Sequence, residues 1–220
     1  MAARQIEEMK SVRAVIVRGN TSVFSAGMDL KQTTVANYEN LSVEERMRIH
    51  AGGARACKAF EELDAITISA VEGHCIGGGL AFCVATDFRI AGRSATFQAP
   101  ELLHGMNMSW QSVPRIVSLV GLSRARALIL QAKKINAQAA LEWSLVDEVV
   151  DDDNAFESAI AQARAVVSMP SAGMRMSKHA INLAAGPLNN AVSFMDLEQY
   201  AICQETDAHR SAVHEFNRPR

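Results

Sequence analysis

The chain has 220 residues, 49% of them hydrophobic and 21% charged, with a formal net charge of −2. That length is enough for one sizeable core, and the near-neutral balance offers no basic surface for nucleic acid. No stretch reaches the roughly 20 apolar residues that span a membrane, and the opening MAARQIEEMK lacks the apolar centre of a signal peptide.

RAVIVR (Arg13–Arg18) is short and β-branched, which predicts a buried strand. GNTSVFSAGMDLK (Gly19–Lys31) reads as a turn-rich loop. A helix is predicted from Ser42 to Leu63, with Ser42 as its N-cap and Glu45 at the capping-box spacing. AITISAVEG (Ala65–Gly73) predicts a second buried strand, followed by Gly77, Gly78 and Gly79 and then a helix ending near Ala85. FRIAG and ATFQ predict two more short strands. Beyond Ser109 the pattern is helical through WQSVPRIVSLVG, SRARALILQAKK and NAQAALEWS, with one strand-like interruption, LVDEVV, near Val146. From Asp153 onward it is helical, broken around Pro170 and Gly186–Pro187. Strand–loop–helix units followed by helices predict an α/β core with a C-terminal helical extension. The expected division is a core over residues 1–145 and an extension over 146–220. Cys57, Cys75, Cys83 and Cys203 form no C-x-x-C pair and no metal-type spacing. They read as reduced packing residues in a cytoplasm-like compartment, and no metal site is expected.

The stretch VEGHCIGGGLAFCVATDFRIAG (Val71–Gly92) raises a chemical question. A helix that starts after glycines exposes unpaired backbone N–H groups carrying partial positive charge. Such a start suits a phosphate or a developing oxyanion. GHCIGGG matches neither G-x-x-x-x-G-K-[ST] nor G-x-G-x-x-G, and no lysine follows, so the oxyanion is the sharper reading. The alternative is a tight helix–strand junction where glycine permits close packing.

FSAGMDLK (Phe24–Lys31), GHCIGGGLAFCVATDFRIAG and FQAPELLHG, taken together, resemble the crotonase superfamily, the enoyl-CoA hydratase/isomerase family. The resemblance runs from about Arg4 to the C-terminus and includes INAQAALEWSLVDEVV. It implies a spiral of ββα turns, apparently shortened here at the N-terminus, with C-terminal helices that pack onto a neighbour in a homotrimer or a dimer of trimers. It implies an acyl-CoA thioester substrate, no cofactor beyond the coenzyme A that the substrate carries, a role in fatty acid metabolism, and a cytoplasmic enzyme without nucleic-acid or membrane partners. Two backbone N–H groups, of Met28 and Gly78, are the expected oxyanion donors. Ser25, Ala26, Gly27, Met28, Asp29, Leu30 and Lys31, with Gly78, are the expected coenzyme A and substrate contacts. Lys31 lies either against a phosphate or in solvent.

The resemblance also fixes what the acid–base groups are expected to be. Hydratases of the family hold a water between two glutamates, one placed two residues beyond the last glycine and one in the P-E block. This chain has Ala81 at the first position and Glu101 at the second. No Asp or Glu follows Glu101 before Glu142, and the position eight residues after it, an aspartate in dienoyl isomerases, is Ser109. One carboxylate suits double-bond isomerisation, with Glu101 as the single acid–base. The other readings are an enoyl-CoA hydratase and a catalytically silent CoA-binding subunit; for Glu101 alone, the other reading is a helix N-terminal charge. Met106, Met108 and Trp110 are expected in an acyl pocket or in plain core, and His104 and His74 in structural roles.

Overall fold

The first six strands fall alternately into two sheets, and that alternation builds the fold. The computed structural model describes residues 2–28, 40–186 and 189–216. Among these, β1 (Ala14–Arg18), β3 (Ile66–Val71), β5 (Phe88–Gly92) and β8 (Glu148–Val150) make one parallel sheet in that order. The second sheet runs β2 (Val23–Ser25), β4 (His74–Ile76), β6 (Thr96–Gln98), β7 (Ile135–Asn136), with β7 antiparallel to β6. Through β6, each turn of chain gives one strand to each sheet and then a helix, the ββα spiral that the resemblance implies; β7 then stays beside β6, and β8 returns to the first sheet.

The helices follow their sequence signals. α1 (Ala2–Glu8) precedes the sheets, and α2 (Val43–Glu61) opens on a capping box, with the Ser42 hydroxyl accepting from Glu45 N and the Glu45 carboxylate accepting from Ser42 N. α3 (Gly78–Cys83) follows the glycines. α4 (Ser112–Leu130) is kinked at Gly121, whose φ of 75° takes it out of the helical region. α5 (Ala137–Glu142) is capped by Asn136, whose side chain accepts from Ala139 N. α6 (Ala155–Val167), α7 (Ser171–Ala185), α8 (Asn189–Ser193), α9 (Asp196–Gln204) and α10 (Asp207–Phe216) complete the described chain.

β3 is buried along its length because both faces are covered. Ile66, Ile68 and Ala70 alternate onto α6, packing with Ile90, Ala155 and Ala159. Thr67 and Ser69 point the other way and are satisfied there. Asp87 accepts from Thr67 N and Oγ1 at 2.7 and 2.9 Å, and from the buried Lys178 Nζ of α7 at 2.7 Å. Arg89, also buried, donates to Thr86 O at 2.6 Å and pairs with Asp147 at 3.1 Å. The T-D-x-R block therefore ties the sheet to its helices.

Two sequence expectations change. β1 is half-buried, because as an outer strand it has β3 as its one sheet neighbour among the described residues. β2, β4 and β7 occupy stretches not read as strands: turn residues surround β2, glycines flank β4, and β7 runs straight into α5.

Candidate active site

Three neighbouring strands aim their ends at one place. β2, β4 and β6 are adjacent and parallel, so their C-terminal ends lie on the same edge of the sheet. β2 leads into Ala26–Met28, β4 into Gly77–Gly79, and β6 into Pro100–Glu101. Segments far apart in sequence thus meet outside the carboxyl ends of parallel strands, where such sheets commonly bind ligands.

The glycines let them meet closely. Gly27 has a φ of 83°, and a Cβ there would fall 3.0 Å from the Gly78 nitrogen. Gly77 has a φ of 55°, and a Cβ there would fall 3.0 Å from Glu101 Oε1. Positive φ disfavours any other residue at both positions. Gly77 N donates to Gln98 O at 2.9 Å, which extends the β4–β6 pairing into the turn. Gly78 then opens α3, so its N–H is among the first-turn donors without an intrahelical partner. Gly79 lets Ser25 pack against the helix, since a Cβ there would fall 2.5 Å from Ser25 Cβ.

A cavity of about 460 Å³ opens at this junction. Ala26, Gly27, Met28, Gly78, Ala81 and Glu101 line its strand end, and Met106, Met108 and Trp110 line another wall. Met108 belongs to the main core as well, and Trp110 packs on that core, so these side chains serve as core and as pocket wall at once. Ser25 stands just outside, lining a smaller cavity of about 250 Å³. Asp29, Leu30 and Lys31 lie outside the described residues. His74 is exposed, its Nδ1 2.8 Å from Thr96 Oγ1.

Glu101 is the first residue of a 3-10 turn (Glu101–His104) whose backbone is pinned by Met106 N donating to Glu101 O at 2.9 Å. It is thus at a helical N-terminus, and it also faces the cavity. Its Oε2 is buried with no hydrogen-bond partner among the described residues. Burial raises its pKa from the usual 4.5 to about 7, against a smaller lowering from its own backbone N–H. A carboxyl poised near neutrality in a cleft can both accept and return a proton.

Part of the remaining wall has no local signal in the sequence. His50 of α2 and Tyr200 of α9 line the cavity with ring centroids 4.3 Å apart. Burial, aided by the charges of Arg46 and His209, lowers the His50 pKa to about 4 and keeps the ring neutral. Tyr200 OH lies 3.9 Å from Met28 Sδ. His104 and Phe216 also reach the cavity, with rings edge-to-face at 5.7 Å. The His104 carbonyl accepts from His209 Nδ1 at 2.7 Å, which docks α10 on the 3-10 turn. His50, Tyr200 and Phe216 come from helices remote in sequence, and only tertiary packing gathers them with His104 of the 3-10 turn.

Comparison with known proteins points the same way. Residues 1–219 match the family described as enoyl-CoA hydratase/isomerase. A Mycobacterium tuberculosis protein named "Probable enoyl-CoA hydratase EchA17" is 29% identical over 181 residues, 82% of this chain and 67% of its own length. A short-chain-enoyl-CoA hydratase of Clostridium acetobutylicum is 30% identical over 214 residues, 96% of this chain and 80% of its own. The crystal structure of an enoyl-CoA hydratase/isomerase from Mycobacterium paratuberculosis superposes with a TM-score of 0.85 at 21% identity, over 97% of this chain and 84% of that one.

Proposed function

The chain belongs to the enoyl-CoA hydratase/isomerase family, and from that premise we propose that it moves the double bond of a 3-enoyl-CoA to the 2-position, with Glu101 as its single acid–base. One observation carries this reading: among the described residues lining the cavity, Glu101 is the only carboxylic acid. Ala81, also on that wall, supplies a methyl group at the position where the hydratase pattern has its other glutamate.

The chemistry follows from that inventory. The Glu101 carboxylate takes a proton from C2, and the electron pair of that C–H bond spreads onto the thioester oxygen as a dienolate. The N–H groups of Met28 and Gly78 stabilise the oxygen; one donor of this kind is typically worth about 10²–10³ in kcat. Glu101 then returns the proton at C4. Atoms balance without water, redox agent or metal, so no cofactor beyond the substrate's coenzyme A is required. The hydratase name of the clostridial relative supports a second possibility, hydration of 2-enoyl-CoA. That reaction needs a water held and activated, a task one carboxylate performs less well than two.

The same proposal has the protein in the cytoplasm, in fatty acid metabolism, as a homotrimer or a dimer of trimers. The free cysteines among the described residues support the first, and no described helix is long and apolar enough to cross a membrane. Exposed Met176, Ile181 and Leu183 of α7 and Ile202 of α9 support self-association. The test is a parallel assay with 3-enoyl-CoA and 2-enoyl-CoA. Faster isomerisation than hydration supports the proposal, and the reverse ratio replaces it with hydratase. Tight acyl-CoA binding with neither activity points to a silent CoA-binding subunit.

A further inference from the structure

Trp110 and Gln111 have φ of 60° and 58°, a left-handed backbone that non-glycine residues rarely adopt. Two such residues in succession persist only where the surroundings over-determine them. Here they do. Arg115, buried in α4, donates Nη1 to the carbonyls of Trp110 and Gln111, both at 3.0 Å. Its Nε and Nη2 grip the Glu61 carboxylate of α2 at 2.9 and 2.7 Å, a two-pronged geometry that fixes the guanidinium plane. Asp196 of α9 accepts from Gln111 N at 2.9 Å. Three helices therefore clamp one turn.

The turn holds the Trp110 indole between two glycines. A Cβ on Gly53 of α2 would fall 2.1 Å from the ring, and one on Gly78 would fall 2.5 Å from it. Gly53 sits inside a helix, where glycine is unfavourable relative to alanine, and the space it leaves is filled by the ring. The indole also lines both cavities, the one of about 460 Å³ that holds Glu101 and the one of about 250 Å³ lined by Val17, Phe24 and Phe82. Gly27, Gly78 and Trp110 are common to the two.

We propose that Trp110 is a fixed partition between these cavities that sets the length of acyl chain the protein accepts, and that Arg115 is the positioning residue that holds it there. The substrate class is then an acyl-CoA whose chain ends within the first cavity. This rests on the acyl-CoA reading of the site, so the experiment separates binding from turnover. Equilibrium binding of saturated acyl-CoAs from butanoyl to hexadecanoyl is measured beside turnover of 3-enoyl-CoA, for the unaltered protein, Trp110→Ala, Trp110→Phe and Arg115→Ala, each with its thermal midpoint. In the unaltered protein affinity rises about fourfold per methylene while the chain is being buried, then stops rising when the chain end meets the indole. Trp110→Ala lets the rise continue, with at least a tenfold gain for the longest chains; Trp110→Phe, the variant to read if the alanine form does not fold, shifts the limit partway. Arg115→Ala blurs the limit in the same direction. A chain-length profile identical in the unaltered protein and the folded Trp110 variants overturns the partition. A lowered midpoint with an unchanged profile in Arg115→Ala overturns the positioning role. A clear length limit without 3-enoyl-CoA turnover keeps the partition and removes the isomerase reading. No acyl-CoA binding at all removes both.

Discussion

Glu101 is held in a state that costs stability. Its carboxylate is desolvated, and no described group donates to Oε2. Because its folded pKa of about 7 lies above the usual 4.5, the folded chain keeps a proton that the unfolded chain loses between those values. Stability therefore falls as pH rises through that window and stays lower above it. The cost is about 3 kcal/mol when Glu101 is ionised. Glu101→Gln removes it, so the variant melts higher at pH 8, on the order of 5–10 °C, and the two proteins converge at pH 4. Equal midpoints at pH 8 would contradict the buried, raised carboxyl. The same pKa gives a rate prediction: kcat/KM for isomerisation falls below about pH 7 as the base becomes protonated. At the neighbouring position, Ala81→Glu restores a second carboxylate on the cavity wall. Hydration of 2-enoyl-CoA rises relative to isomerisation, as read in the same paired assay. A ratio unmoved by the change would mean that water is positioned by groups other than carboxylates.

At the scale of elements, the buried Lys178–Asp87 pair fastens α7 to the β3–β5 sheet, with Lys178 Nζ also donating to Ala65 O at 2.9 Å. Lys178→Met leaves the part-buried Asp87 with its Thr67 donors but without its counter-charge; breaking a fully buried pair typically costs about 3–5 kcal/mol, and the partial exposure of Asp87 puts the expected loss at about 2–3 kcal/mol. Chemical denaturation should show a midpoint lowered without a change of slope; a loss under about 1 kcal/mol would mark the pair as dispensable. The long elements were legible because their signals are local. The Ser42/Glu45 box marks the start of α2, and the β-branched run of β3 has no polar interruption larger than Thr67 or Ser69. β2 and β4 were not legible, since β2 sits in a turn-rich stretch and β4 between Gly73 and Gly77, yet their parallel pairing is what carries Gly27 beside Gly78. The resemblance named Glu101, Met28 and Gly78, and the fold brings all three to one cavity. His50 and Tyr200 were out of reach of any such pattern, because they enter the cavity only when α2 and α9 pack together. Gly53 likewise reads as a weak spot in a helix until Trp110 is seen against it.

For the whole molecule, the architecture divides the work. The two sheets and α3 fix the backbone turns at the strand ends, and the helices that follow close the cavity around them. α10 docks on the 3-10 turn that carries Glu101, through His209 and His104, so the C-terminal end of the described chain braces that turn. A rigid strand-end scaffold with a helical enclosure suits chemistry that excludes water from an enolate. The central claim is that one carboxyl, Glu101, moves the proton on a bound enoyl-CoA. The most direct measurement is turnover of the preferred 3-enoyl-CoA by Glu101→Gln, beside its affinity for a saturated acyl-CoA. Turnover should fall by about 10²–10⁴-fold, with affinity nearly unchanged. A variant that binds normally and keeps more than about half of the activity, where a positioned acid–base predicts so large a loss, would contradict it.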